Sequence, residues 1–125
     1  MSKAAKLALF VLVPILLTSA GEFLLKKAIN GLQISPHLSS IVPLISNPTL
    51  LFAIFMIVIG GILWLIAMSK FQISYIYPFL SLNYLIIFLG SGFILNEQIP
   101  KERIFALSLI ILGLIIISKS PHLEK

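Results

Sequence analysis

The sequence predicts an all-α integral membrane protein of four transmembrane helices, functioning as a dimer. Its 125 residues are 59% hydrophobic and only 10% charged, with a mean hydropathy of +1.13, which leaves too little polar surface to cover a water-soluble globule. Apolar stretches near the length a helix needs to cross a bilayer, about 20 residues, follow one another along the chain. Lys and Arg number 9 against 4 acids, but they are scattered one or two at a time near the ends of these stretches. That is the distribution of headgroup anchors, so no nucleic-acid partner is expected.

The spans fall at about 4–25, 50–68, 73–95 and 100–118, within one transmembrane domain covering 1–125. The first opens behind Lys3 and Lys6. Its positive start, apolar run and "TSAGE" also resemble a signal peptide cleaved after Ala20. Pro14 and the helix-compatible continuation "EFLLKKA" speak for a retained first span instead. The connections "SKFQIS" and "NEQIPKE" are brief, so the helices they join run antiparallel. The fourth span is short and is expected to begin at Pro100, with Glu102 in its first turn. Only "INGLQISPHLSSIVPLISNP" is a long connection. Gly31, Pro36, Pro43 and Pro48 interrupt it, while Leu38, Ile41, Val42, Leu44 and Ile45 form a short amphipathic piece suited to the membrane interface.

Charge gives little orientation. Lys3, Lys6, Lys70, Lys119 and Lys125 share one side; Lys26, Lys27, Lys101 and Arg103 lie opposite. If Lys26 and Lys27 belong to the helix, the N-terminus is favoured inside; if they count as loop, either orientation is open and two copies can pair antiparallel. Four slender helices do not easily enclose a path alone, and inverted pairs are one way to build one.

Polar residues inside the spans form a constellation. Thr18, Glu22 and Lys26 recur at i, i+4 and i+8 and so stack on one helix face, with Gly21 beside them allowing close approach. Glu22 and Lys26 either neutralise each other near the helix end or line a substrate path. Pro14, a turn before Thr18, frees a backbone carbonyl and bends the helix. In "YIYPFLSLNY", residues 75–84, the residues Tyr77, Ser81 and Tyr84 share a stripe about 60° wide on an ideal α-helix, which would look into a cavity. Asn83 points elsewhere, in line with Gly90, and either lines that cavity or bonds a neighbouring helix. Pro78 starts or kinks this helix; Gly60, Gly61 and Gly113 read as packing points, and Trp64 as core or lipid-facing. There is no cysteine, the two histidines lie outside the spans, and no metal or cofactor is implied. No set of nucleophile, base and oxyanion donors suggests an enzyme.

The stretches "LLTSAGEFLLKKA" (16–28) and "IYPFLSLNYLIIFLGSGFILNEQI" (76–99), followed by "LIILGLIII", resemble the small four-helix, EamA/SMR-like members of the drug/metabolite transporter superfamily. Within it they most resemble the ArnE/ArnF-type subunits that flip aminoarabinose-linked undecaprenyl phosphate. The specific parts are Ala20, Gly21, Glu22 and Lys26, the run Tyr77, Pro78, Leu80, Ser81, Leu82 and Asn83, and the acid Glu97. The resemblance implies a multi-pass protein of the bacterial inner membrane that moves a lipid-linked sugar or other amphiphile among membrane lipids. A homodimer, or a heterodimer with a paralogue, goes with it. Lys26, with or without Lys27, would then contact phosphate, and Tyr77, Ser81, Asn83 and Tyr84 the sugar.

Two other readings stay open. The small multidrug resistance branch exchanges cations for protons through a first-helix glutamate, which, counted from Gly21 and Lys26, should stand where this chain has Thr18. Glu22 also departs from the amide-type residue associated with the flippase branch, so it either pairs with Lys26 or meets an amino group on the substrate. The third reading is an accessory subunit that packs on a membrane enzyme through its glycine faces.

Overall fold

The structure, a computed structural model, describes residues 1–121; Lys125, counted above for charge balance, lies outside the described residues. The described chain is all-helical apart from turns and an isolated bridge residue. Helix α1 spans Lys3–Asn30 and α2 Ile41–Ser46; α3 spans Pro48–Lys70, α4 Ile73–Ile94 and α5 Lys101–Ser118. Three of them, α1, α3 and α4, are long and apolar enough to cross a membrane. Helix α5 has 18 residues and opens on Lys101, Glu102 and Arg103, so its apolar part is shorter.

Ser2 caps α1 by accepting from the Ala5 N–H at 3.2 Å. The winding loosens to a π-helix over Ala8–Leu12, immediately before Pro14. Proline has no N–H to give the preceding turn, and a wider turn absorbs that loss without breaking the helix. The helix then runs to Asn30, beyond the end near residue 25 suggested by hydropathy, because Lys26 and Lys27 are good helix formers and Gly31 is the first breaker. Asn47 caps α3, its side-chain oxygen accepting from Thr49 and Leu50 N–H groups at 3.0 and 3.2 Å, with Pro48 in the first turn. Pro100 turns out to precede α5 as an extended residue rather than to open it.

Helix α4 is not uniform. Ile73–Ile76 is α-helical, Tyr77–Leu80 tightens to 3-10 winding around Pro78, and Ser81–Ile94 resumes the α-helix. A 3-10 turn advances by about 120° per residue instead of 100°. The stripe drawn through Tyr77, Ser81 and Tyr84 on an ideal α-helix therefore does not carry over intact.

Glycine brings α1 and α3 together. A Cβ on Gly21 would sit 2.7 Å from Ile57 Cγ1 and 2.9 Å from the Ala53 carbonyl oxygen; one on Gly60 would sit 2.6 Å from Thr18 Cγ2 and 3.1 Å from the Pro14 carbonyl oxygen. The two helices cross with each glycine facing the other backbone, as small residues permit where lipid offers no hydrophobic drive. The Phe23 ring lies against Gly90 and couples α1 to α4. A buried cluster of Val11, Ile15, Ala67, Phe71, Tyr75, Ile76 and Phe79 closes one end of the α1–α3–α4 bundle. Helix α5 stands at its edge, leaving an apolar cleft of about 210 Å³ between Leu82 and Leu85 of α4 and Ile111 and Leu114 of α5. Large apolar side chains such as Phe52, Phe55, Leu65, Phe93 and Phe105 point outward, as the lipid-facing surface of a membrane bundle requires.

The glycine contacts separate four superficially similar positions. Gly60→Val and Gly21→Val force a shift of backbone or branched side chains and should destabilise the detergent-solubilised protein by about 1–3 kcal/mol, read as a lowered melting temperature. Gly61→Ala and Gly113→Ala, whose Cβ atoms meet nothing within 4 Å, should melt as the parent does or slightly above it.

Candidate functional site

Glu22 lies between two cavities. The first, about 250 Å³, is lined by Pro14, Ile15, Thr18 and Glu22 of α1, Gly60, Gly61 and Trp64 of α3, and Leu80 and Asn83 of α4. The second, also about 250 Å³, is lined by Glu22, Phe23 and Lys26 of α1, Ile87, Ser91 and Leu95 at the end of α4, and Glu97 beyond it. Their shared residue is a half-buried carboxylate on an otherwise apolar helix.

That carboxylate is held by a hydrogen-bond chain. The Asn83 side-chain Nδ2 donates to Glu22 Oε2 at 3.2 Å, and the Ser19 hydroxyl contacts Asn83 Oδ1 at 2.5 Å. Ser19 also lies 2.7 Å from its own helix's Ile15 carbonyl oxygen, and only 1% of its surface is exposed. A carboxylate only accepts, so Glu22 takes the NH2 end of the amide and leaves Asn83 Oδ1 to accept from Ser19, whose single proton is shared with the Ile15 carbonyl. Among the described residues no ion pair within 4.0 Å joins Glu22 to Lys26; the carboxylate turns to Asn83 instead.

The other candidates divide into those the fold brings to this axis and those it does not. Thr18 lines the first cavity, but its hydroxyl donates back to the Pro14 and Ile15 carbonyls, each at 3.0 Å. Lys26 is exposed and lines the second cavity, whereas Lys27 faces a separate polar cavity of about 320 Å³ with Gly31, Asn47 and Thr49. Tyr77 is exposed and sets its ring edge-on to Trp64, centroids 6.2 Å apart, touching the first cavity only through that indole. Ser81 donates to the Pro78 carbonyl at 2.6 Å, and Tyr84 is exposed beside Phe88. The intrahelical bond of Ser81 and the 3-10 turn together take this stripe away from Glu22.

Ser19, Trp64, Ser91 and Glu97 line or support the site although the spacing argument passed over their part in it. Ser19 stands at i−3 from Glu22, a same-face position that marked it as a partner. Glu97 arrives through a turn: Asn96 adopts φ 52°, left-handed backbone that asparagine tolerates, and the Glu97 N–H returns to the Ser91 carbonyl at 3.1 Å. Ile99 then packs against Gly92, 2.5 Å from where a Cβ would stand. Among the described residues no group of three or more His, Asp or Glu side chains could hold a metal ion.

Because Ser19 and Asn83 act on Glu22 as one chain, their substitutions should not add. Ser19→Ala and Asn83→Leu, compared singly and together by reversible unfolding in detergent or bicelles, should show a coupling of about 0.6–2 kcal/mol. Strict additivity would mean that the two side chains are independent.

The chain is 29% identical over 103 residues to a protein of Pseudomonas fluorescens, covering 82% of this chain and 89% of that one. It is 28% identical over 113 residues to one of Serratia proteamaculans, covering 90% and 96%, and 30% identical over 111 residues to one of Aeromonas salmonicida, covering 87% and 94%. Each relative is described as a probable 4-amino-4-deoxy-L-arabinose-phosphoundecaprenol flippase subunit ArnE. No protein-family model matches the chain, and no solved structure matches it significantly. With long apolar helices and bacterial relatives of this kind, the chain is a multi-pass protein of the bacterial inner membrane whose role is membrane transport and not bond chemistry. Similarity along almost the full length of these proteins places the chain in the small drug/metabolite-transporter-like family to which the ArnE-type subunits belong.

Proposed function

We propose that this protein is a flippase subunit that carries a polyprenyl-phosphate-linked sugar, aminated in the simplest case, across the inner membrane. The observation that supports it is the polar axis along α1, in which Glu22 joins two cavities reaching from Pro14 to Lys26. Twelve residues of helix rise about 18 Å, more than half of a hydrocarbon core about 30 Å thick. Polar groups over that depth are costly unless they face a cavity or a headgroup.

In this reading the isoprenoid tail stays in lipid while the headgroup moves along the axis. Lys26, which lines the second cavity, contacts phosphate by a charge-assisted hydrogen bond. Glu22 and Glu97, lining the same cavity, suit an ammonium on the sugar, and the Asn83 amide suits its hydroxyls. Tyr77, Ser81 and Tyr84 remain candidates only for a second chain or for another state of the transport cycle. Helix α5 serves as the fourth span, its apolar part extended by snorkelling of Lys101 and Arg103. Its outward-facing Phe105, Leu109, Leu112 and Ile116 leave a face open to lipid or to a second chain, identical or paralogous. Lys26 and Lys27 lie inside α1 rather than in the loop, which favours a cytoplasmic N-terminus.

Headgroup flipping in proteoliposomes tests the proposal. Lys26→Met should slow flipping about 10- to 100-fold, corresponding to a charge-assisted contact of about 1.5–3 kcal/mol, while the melting temperature is kept. Glu97→Gln should weaken the preference for an aminated over a neutral sugar and leave transport of the neutral lipid largely unchanged. Normal transport by both variants would move the headgroup path away from the second cavity.

One observation favours a second reading, exchange of a cation for a proton: Glu22 stands inside the bundle at the junction of both cavities. That reading requires proton release on addition of a lipophilic cation, abolished by Glu22→Gln. The flippase reading expects no release, and detecting one would reverse the preference between the two.

A further inference from the structure

The connection between α1 and α3 carries a helix built inside out for water. From Ala28 to Ser69 the chain has no Asp, Glu, Lys or Arg, and the long connection lies wholly within that stretch. A loop in water normally advertises itself with charge. Here Leu38–Ser40 forms a 3-10 turn that passes directly into α2. The apolar side chains of this segment are on the outside: Leu38 is 86% exposed, Val42 63%, Ile45 60% and Ile41 49%.

Winding of about 100–120° per residue sorts the segment into three stripes. Leu38, Ile41, Val42 and Ile45 make one. Ser39, Pro43 and Ser46, also exposed, make a second. Ser40 and Leu44 make the third, and these are the two that turn inward: Ser40 is buried and Leu44 half-buried. The Ser40 hydroxyl ties the segment down, accepting from the Ser35 N–H at 3.1 Å and meeting the Ser35 hydroxyl at 2.9 Å. One stripe thus rests on protein, one is neutral and polar, and one is apolar with no protein against it.

The position of the segment decides what covers the apolar stripe. Ser46 is followed by Asn47, which caps α3, so α2 ends where a membrane-crossing helix begins. The other end is joined to α1, another helix long and apolar enough to cross. Both attachments hold the segment at the bilayer surface. We propose that residues 38–46 lie in the plane of the membrane as an interfacial anchor, with Leu38, Ile41, Val42 and Ile45 immersed among the acyl chains and Ser39, Pro43 and Ser46 facing water. The partner is the lipid of the same bilayer, and the assignment holds whatever the chain transports.

The chain has no cysteine, so single cysteines in the full-length protein can carry a nitroxide in bilayer nanodiscs. At Val42→Cys and Ile45→Cys, collisional relaxation by oxygen should exceed that by a water-soluble nickel chelate. At Ser39→Cys and Ser46→Cys the order should reverse. Emission from the single tryptophan, Trp64, checks that each labelled chain keeps its fold. Nickel access at residues 42 and 45 equal to that at 39 and 46 would describe a solvated loop and overturn the proposal. Shielding of residues 42 and 45 from both reagents would describe a protein partner and overturn it as well.

Discussion

A carboxylate on an apolar helix has to be held by something other than water, and in this protein Asn83 holds it. The Glu22–Asn83 hydrogen bond joins α1 to α4, and Ser19 meets the other end of the same amide. The three side chains satisfy one another within the bundle, and among the described residues no buried side-chain nitrogen or oxygen lacks a partner. The first cavity takes its charge from Glu22 in this arrangement, and the second adds Lys26 and Glu97 to it. An apolar residue at 83 would leave the carboxylate without its hydrogen-bond partner, as the lone ionisable group lining the first cavity.

Close helix approach makes that bond possible. Gly21 and Gly60 let α1 and α3 cross at backbone distance, with Thr18 packed by its methyl group against Gly60 while its hydroxyl turns to its own helix. Gly90, two turns beyond Asn83, receives Phe23, the residue next to Glu22, and holds α4 against α1. Packing therefore sets the width of both cavities. Helix α5 contributes to neither, so its role in the described chain is to face lipid or another chain.

Much of this was legible in the sequence, for reasons that differ by element. Hydropathy located the apolar helices because lipid imposes composition over a whole span. It placed the end of the first one too early, since lysines extend a helix while lowering its hydropathy. The i, i+4, i+8 rule put Thr18, Glu22 and Lys26 on one face; Thr18 and Glu22 line one cavity, and Glu22 and Lys26 the other. The rule cannot say where a hydroxyl donates, and Thr18 donates to its own backbone. The tyrosine stripe depended on uniform winding, which Pro78 removes by tightening Tyr77–Leu80. Glu97 was visible as an acid before the last helix, but the left-handed turn at Asn96 that brings it to the cavity Lys26 also lines is a backbone choice that periodicity does not encode.

The charge-free stretch from Ala28 to Ser69 also bears on how the protein is made. During synthesis, α1 and α3 enter the bilayer as a hairpin whose tip is the chain's one long connection. A tip without formal charge can be translocated or retained at nearly equal cost, so it gives the insertion machinery no instruction. The instruction from this hairpin lies in its two ends, which share one side of the membrane, with Lys3 and Lys6 at the first and Lys70 at the second, against Lys26 and Lys27 near the tip. The charge signal for orientation in this hairpin consequently rests on a few lysines, and moving one of them is a larger event in biogenesis than it is in the folded bundle.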